Sequence, residues 1–317
     1  MGNWILLIIS LIILVTSGDI LVRGSVSMAR HFKISTLLVG LIVVSIGTSA
    51  PELFVSLQAA LNSHPDISIG NVVGSNISNI GLVLAITAII LPVAVKKSIL
   101  VFDLPFLLLS SIVLYILSVY IGKGSLDYID GIIFLLMLAV YLYISITKSI
   151  KERKHAPIFK KPQYNIYLSI LFILGSIVGM YFGANWLIES ASDIAVNLGV
   201  SERVISVTIV AFGTSVPELS TSIIAAIKKE SDISIGNIIG SNIFNILMIL
   251  GAASSINTIT ISNQIINIDM LYMIAITIIL ALLIIVYKNK RVSRIAGVIL
   301  LALYTFYIYS SFSTQIL

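Results

Sequence analysis

Long apolar runs separated by short polar stretches set the rhythm of this chain along its whole length. Ten of them approach or exceed the roughly 20 residues that an α-helix needs to cross a hydrocarbon core about 30 Å thick. They cover residues 4–22, 36–61, 69–92, 98–120, 127–147, 165–190, 200–227, 235–254, 267–287 and 293–312. The pattern predicts an all-α polytopic membrane protein with ten transmembrane helices. The first run, MGNWILLIISLIILV, lacks the positive charge that precedes a secretory leader, and Leu6 stands where myristoylation needs Ser or Thr. It is therefore expected to be the first membrane helix. Two runs are interrupted near their middle, by Pro51–Glu52 and by Pro217–Glu218, which predicts broken helices at the midplane.

Composition narrows the function classes. The chain has 317 residues, 58% hydrophobic and 10% charged, with a mean hydropathy of +1.10, where soluble domains carry about 25% charged residues. It has no cysteine, which excludes disulfides and thiolate chemistry. His31, His64 and His155 lie in polar stretches, and no HExxH, GxGxxG or GxxxxGK[ST] pattern occurs. No histidine, cysteine or Ser–Lys pair sits within the spans, so an intramembrane hydrolase, or any enzyme, is not expected.

The basic residues sort by side. Arg23, Arg30 and Lys33, then Lys96 and Lys97, then Lys148, Lys151, Arg153, Lys154, Lys160 and Lys161, then Lys228 and Lys229, then Lys288, Lys290, Arg291 and Arg294 all fall in or beside odd-numbered loops. Of 19 basic residues only Lys123 and Arg203 fall on the other side. The positive-inside rule then places the odd loops in the cytoplasm and both termini outside. The net charge of +5 is thus spread over loops, and no nucleic-acid partner is expected. The basic fifth loop, residues 148–164, is the only linker.

Sequence blocks recur. IGTSAPEL (46–53) returns as FGTSVPEL (212–219), and DISIGNVVGSNISNI (66–80) returns as DISIGNIIGSNIFNI (232–246), identical at 12 of 15 positions. Both pairs, and Ser35 with Ser201, keep one offset of 166 residues. A fixed offset across separate blocks marks a duplication. The halves are residues 1–147, with its motif at 46–80, and 165–317, with its motif at 212–246. Five spans per half is an odd number, so the second half enters the membrane from the opposite face. The fold class is two inverted-topology five-helix repeats, an architecture of secondary transporters.

The best-matched residues are polar within apolar spans. A carboxylate at the bilayer centre costs about 3 kcal/mol on insertion scales, and such residues mark ion or proton paths. Glu52 and Glu218 hold equivalent positions, and two nearby like charges call for a cation. Carboxylate, hydroxyl and carbonyl oxygens suit hard cations. Pro51 and Pro217 free carbonyls around Ser45–Thr48 and Ala211–Thr214. Ser49 shares a helix face with Glu52, and Ser215 with Glu218. Ser75 with Asn79, and Ser241 with Asn245, add neutral oxygen donors. For Asn71, Asn76, Asn237 and Asn242, capping or interhelical hydrogen bonds are the expectation over ligation. Gly70, Gly74, Gly236 and Gly240 are expected at close helix contacts, Asp66 and Asp232 as helix N-caps, and Asp103 and Asp269 at the interface.

The paired GTSxPE and GNxxGSNxxN blocks resemble the two α-repeats of the calcium/cation antiporter superfamily, most closely its prokaryotic sodium/calcium exchangers. Proton-coupled members typically carry a GNxxE-type motif here, whereas the Thr-Ser pair is similar to the sodium-coupled branch. The resemblance implies one calcium and up to three sodium sites. Glu52 and Glu218, with the carbonyls of Thr48 and Thr214, would ligate calcium. Ser49, Ser75, Ser215, Ser241 and the carbonyls of Ser45 and Ala211 would belong to sodium sites, and Asn79 and Asn245 would line the middle position. It further implies alternating-access, electrogenic Na⁺/Ca²⁺ antiport in a prokaryotic plasma membrane, with Na⁺ and Ca²⁺ as substrates, the lipid bilayer as surroundings and no cofactor. A functional monomer is the expectation. Some relatives have Asp where this chain has Asn245, as do the potassium-dependent exchangers. Two carboxylates imply no potassium requirement. A Ca²⁺/H⁺ antiporter is the nearest alternative and a cation channel a more distant one.

Overall fold

A computed structural model describes residues 2–62, 64–153, 161–197, 211–286 and 290–313. Lys154, His155, Lys160, Ser201, Arg203, Lys288, most of the linker's middle and the first part of the expected span 200–227 lie outside these residues.

Helices dominate, at the places the apolar runs predict. They are α1 (Gly2–Phe32), α2 (Thr36–Thr48), α3 (Ala50–Leu61), α4 (Pro65–Ile90), α5 (Ile99–Ile121), α6 (Tyr128–Arg153), α7 (Ile166–Asn197), α8 (Ala211–Thr214), α9 (Val216–Ile227), α10 (Ser231–Ile256), α11 (Ile265–Val286) and α12 (Arg294–Ser313). Among the described residues, eight are long and apolar enough to cross a membrane, and nine if the α2–α3 pair, bent by 49°, is counted as one span. Helix α9 is apolar but short.

Local chemistry accounts for the breaks. Ser35 caps α2, its hydroxyl accepting the Leu38 N–H at 3.2 Å. Ser49 leaves helical geometry at φ −83°, ψ 12°, and Ser215 repeats this at φ −86°, ψ −2°. Pro51 and Pro217 follow in the first turns of α3 and α9, where a missing N–H costs nothing. Wide π-helical turns occupy Asn79–Leu84 in α4 and Asn245–Leu250 in α10, and open α5 at Ile99–Asp103 and α11 at Ile265–Met270. Both pairs start 166 residues apart. Such turns commonly mark functional positions.

The chain divides into two compact units, each drawing on both sequence halves. The first comprises Met1–Pro51 and Ser145–Asn237. Here α1 packs along α7. Lipid tails are as apolar as leucine, so helices in a membrane associate through close packing more than through hydrophobicity. Glycines supply it: a Cβ on Gly24 would lie 3.0 Å from the Ser169 carbonyl oxygen, and one on Gly183 would lie 3.0 Å from Leu14 Cγ. Leu21, Val22, Val26, Val39, Ile173 and Met180 form the adjoining core. Polar pins hold the ends. Ser27 Oγ donates to the Tyr164 carbonyl at 3.1 Å, His31 Nε2 meets the same oxygen at 2.7 Å, and Asp19 pairs with Arg23 at 2.6 Å and with Lys228.

The second unit comprises Glu52–Ile144 and Ile238–Leu317. Phe134, Tyr141 and Phe244 are its largest fully buried side chains. Two short antiparallel ladders join its loops, Val93–Ala94 with Arg291–Val292 and Ser125–Leu126 with Ile259–Thr260. Adding 166 to the first strand of each ladder yields the second strand of the other.

Asp103 and Asp269 are each held by a tyrosine. Asp103 is buried and accepts the Tyr141 hydroxyl at 3.1 Å, and Asp269, half-buried, accepts the Tyr307 hydroxyl at 2.8 Å. The 38-residue separation repeats because each aspartate begins the fourth span of its half and each tyrosine lies in the fifth. Tyr141→Phe removes a donor to a buried carboxyl and is expected to cost about 1–3 kcal/mol. Thermal unfolding in detergent measures it, with Tyr143→Phe, an exposed tyrosine, as the reference.

Candidate functional site

In the first unit the predicted donors gather around the end of α2 and the start of α9. Glu218 is fully buried in the first turn of α9, and its Oε1 accepts the Ser49 hydroxyl at 2.9 Å. Thr48 is also buried and donates from Oγ1 to Asn237 Oδ1 at 2.9 Å. Asn237 in turn donates to Ser222 Oγ at 3.1 Å and, at 3.5 Å, to the Glu218 carbonyl. One side chain on α10 thereby ties the break after α2 to the turn that carries Glu218. Thr214 and Ser215 are buried beside that turn. The Ser45 carbonyl, a predicted ligand, accepts the Ser49 N–H at 2.9 Å and the Thr48 hydroxyl at 3.4 Å. Ala211 begins α8.

In the second unit Glu52 is 1% exposed in the first turn of α3. Asn71 donates to its backbone carbonyl at 3.2 Å and to Ser56 Oγ at 2.9 Å, the counterparts of the Asn237 bonds. Ser75, Asn79, Ser241 and Asn245 are all buried. Asn245 Nδ2 donates to Ser75 Oγ at 3.1 Å and Asn79 Nδ2 to Asn242 Oδ1 at 3.0 Å. The Oδ1 atoms of Asn79 and Asn245 are buried with no hydrogen-bond partner among the described residues. An unbonded buried carbonyl costs free energy, and a cation offsets that cost directly.

Asn71, Asn76, Asn237 and Asn242 make the expected interhelical bonds. Ser56 and Ser222 were not predicted, although they too stand 166 residues apart in matching surroundings and that signal was available. Asp66 and Asp232 lie in the first turns of α4 and α10 but do not act as N-caps. Asp66 Oδ1 accepts the Ser262 N–H at 3.1 Å and Asp232 Oδ2 the Thr36 hydroxyl at 3.0 Å, while His64 occupies the N-cap position of α4. Distant loops compete for these carboxylates, and a single span cannot reveal that. Close packing holds at Gly236, whose Cβ would lie 3.0 Å from Leu37 O and Leu41 N; a Cβ on Gly74 has nothing within 4 Å among the described residues.

The arrangement is two sets of buried oxygen donors built from one repeated motif. The model of the family described as sodium/calcium exchanger protein matches residues 2–147 and 168–313. This chain belongs to the sodium/calcium exchanger family. Family membership accords with its resemblance to the prokaryotic calcium/cation antiporters. The chain is 35% identical to an uncharacterized membrane protein of Methanocaldococcus jannaschii, with 94% of each covered. It is 33% identical to the putative antiporter CaxA of Alkalimonas amylolytica, with 98% of each covered, and 28% identical to the sodium/calcium exchanger MaX1 of Methanosarcina acetivorans, over 95% of this chain and 96% of that one. A solved structure of the sodium-calcium exchanger NCX_Mj, soaked with Na⁺ and Ca²⁺, superposes with a TM-score of 0.82 at 32% identity over 98% of both chains. This family member is therefore a mostly helical polytopic membrane protein with the NCX_Mj fold.

Proposed function

We propose that the protein is a secondary antiporter that exchanges Na⁺ for Ca²⁺ by alternating access. The observation that carries this is the burial of Glu52 and Glu218 at equivalent positions, each in the first turn of a helix that follows a break. The positive end of a helix dipole stabilises negative charge there, and a buried carboxylate is retained where it serves an ion path. Thr48, Ser49, Thr214, Ser215, Ser75, Ser241, Asn79, Asn245 and the carbonyls of Ser45 and Ala211 complete the ligand set. The named exchangers among the relatives and the solved structures support these substrates.

The topology of this reading is ten helices in two inverted repeats, with both termini outside. Loop pairing supports it. One ladder joins the third loop to the ninth and the other the fourth to the eighth, so odd loops meet odd loops and even meet even. In this reading α1 and α7 slide as a gate, and their glycine-lined packing accords with it. One Ca²⁺ balances two carboxylates, whereas three Na⁺ leave a net positive charge. Exchange is then electrogenic, and each net charge couples to voltage at about 2.3 kcal/mol per 100 mV. Asn245 leaves two carboxylates and no potassium requirement. The protein functions as a monomer in the plasma membrane.

Proteoliposomes loaded with Na⁺ and diluted into Na⁺-free medium test this. Calcium uptake is expected with pH clamped, to quicken at inside-positive potential, and to be indifferent to K⁺. Uptake driven by a pH gradient without Na⁺ would establish the proton antiporter instead, and calcium flux without any counter-ion would establish a channel.

A further inference from the structure

The unbonded oxygens of Asn79 and Asn245 face as they do because two other asparagines leave them no choice. An amide's oxygen and nitrogen exchange places by a half-turn of the side chain, so only its hydrogen bonds decide which end faces a ligand. In the second unit that decision starts from two backbone carbonyls, which can only accept. Asn242 Nδ2 donates to the Asn76 carbonyl at 3.2 Å, and Asn76 Nδ2 donates to the Asn242 carbonyl at 3.1 Å. Each nitrogen being committed, Oδ1 of each side chain must act as an acceptor. Asn79 therefore turns its nitrogen toward Asn242 Oδ1, at 3.0 Å, and Asn245 turns its nitrogen toward Asn76 Oδ1, at 3.1 Å. Both Oδ1 atoms are left buried and unbonded. All four side chains are at most 1% exposed, so bulk solvent does not compete for these bonds.

We propose that Asn76 and Asn242 are positioning residues for the cation site: Asn242 sets the amide of Asn79, and Asn76 sets that of Asn245, so that each presents its oxygen to the ion and withholds its NH₂. The inference rests on the reading of Asn79 and Asn245 as cation ligands. A wrongly turned amide would aim a donor at a cation, and outer partners that orient a ligand are typically worth 10- to 100-fold in metal affinity.

A carboxylate offers an oxygen in either orientation, which yields a test that separates orientation from packing. Purified full-length protein in detergent is titrated with Ca²⁺ and with Na⁺, following binding by calorimetry and thermal stabilisation. Asn242→Ala is expected to weaken binding of at least one cation by about 10-fold or more. In an Asn79→Asp background the same change is expected to have an effect of less than about twofold, whereas in an Asn245→Asp background the full loss persists. The mirror set, Asn76→Ala with Asn245→Asp as suppressor and Asn79→Asp as control, reads the same mechanism should Asn242→Ala fail to fold. Unchanged binding in the alanine variants, or equal suppression by both aspartates, would overturn the positioning role. Wild-type protein that binds both cations but does not exchange them in liposomes sinks the antiport reading alone. Intact exchange with no selective suppression sinks the positioning role alone. Wild-type protein that binds neither cation overturns both.

Discussion

Glu218→Gln is expected to reduce sodium-driven calcium uptake at least about 100-fold while the protein still folds. The substitution keeps the shape of the side chain and an Oε1 that can accept the Ser49 hydroxyl, so the bond across the helix break survives. What it removes is charge. At about 4 Å and an effective dielectric constant near 20, one unit charge attracts another by about 4 kcal/mol, and a divalent ion gains twice that. Even after desolvation offsets part of it, a lost unit of this size leaves calcium poorly held. Glu52→Gln should behave alike, because Glu52 is as deeply buried and occupies the same first-turn position. Tracer calcium uptake in proteoliposomes, with melting temperature as the fold control, measures both. Robust exchange in either variant would remove that glutamate from the site.

The second large effect is expected at Gly236, where alanine should destabilise the protein. A Cβ on Gly236 would lie 3.0 Å from Leu37 O and Leu41 N, both backbone atoms of α2, and a Cβ on Gly40 of α2 would lie 2.9 Å from the Ile233 Cα. Backbone cannot rotate aside, so Gly236→Ala must push α2 from α10 at a cost of about 1–3 kcal/mol. The shift also strains the Thr48–Asn237 bond, so exchange should fall with stability. Thermal melting of Gly236→Ala beside the wild type decides it: an unchanged melting temperature would mean that α2 and α10 are not held this closely.

Most of the candidate site was legible before any coordinates, because the chain states it twice. A fixed offset picks out Glu52 and Glu218, the prolines and the serines from hundreds of apolar neighbours, and the cost of burying them explains why they lie in a span at all. Helices were equally legible, since hydrocarbon leaves the backbone few ways to satisfy its own hydrogen bonds. What was misread shares one cause. Asp66 and Asp232 look like caps from the sequence, but their partners are Ser262 and Thr36, nearly 200 residues away. Asp103 and Asp269 stand outside the motifs, and nothing in their own spans reveals that a tyrosine from the next span takes each.

By itself the sequence determined where the membrane helices run, that one half repeats the other, and which residues carry charge and oxygen at membrane depth. Periodicity, charge and duplication are properties of the order of residues, so they need no fold to be read. The tertiary structure alone decided that Gly236 sits against the backbone of α2, which partners the aspartates take, and which way the amides of Asn79 and Asn245 turn. Those outcomes depend on distances of a few tenths of an ångström between segments far apart in the chain.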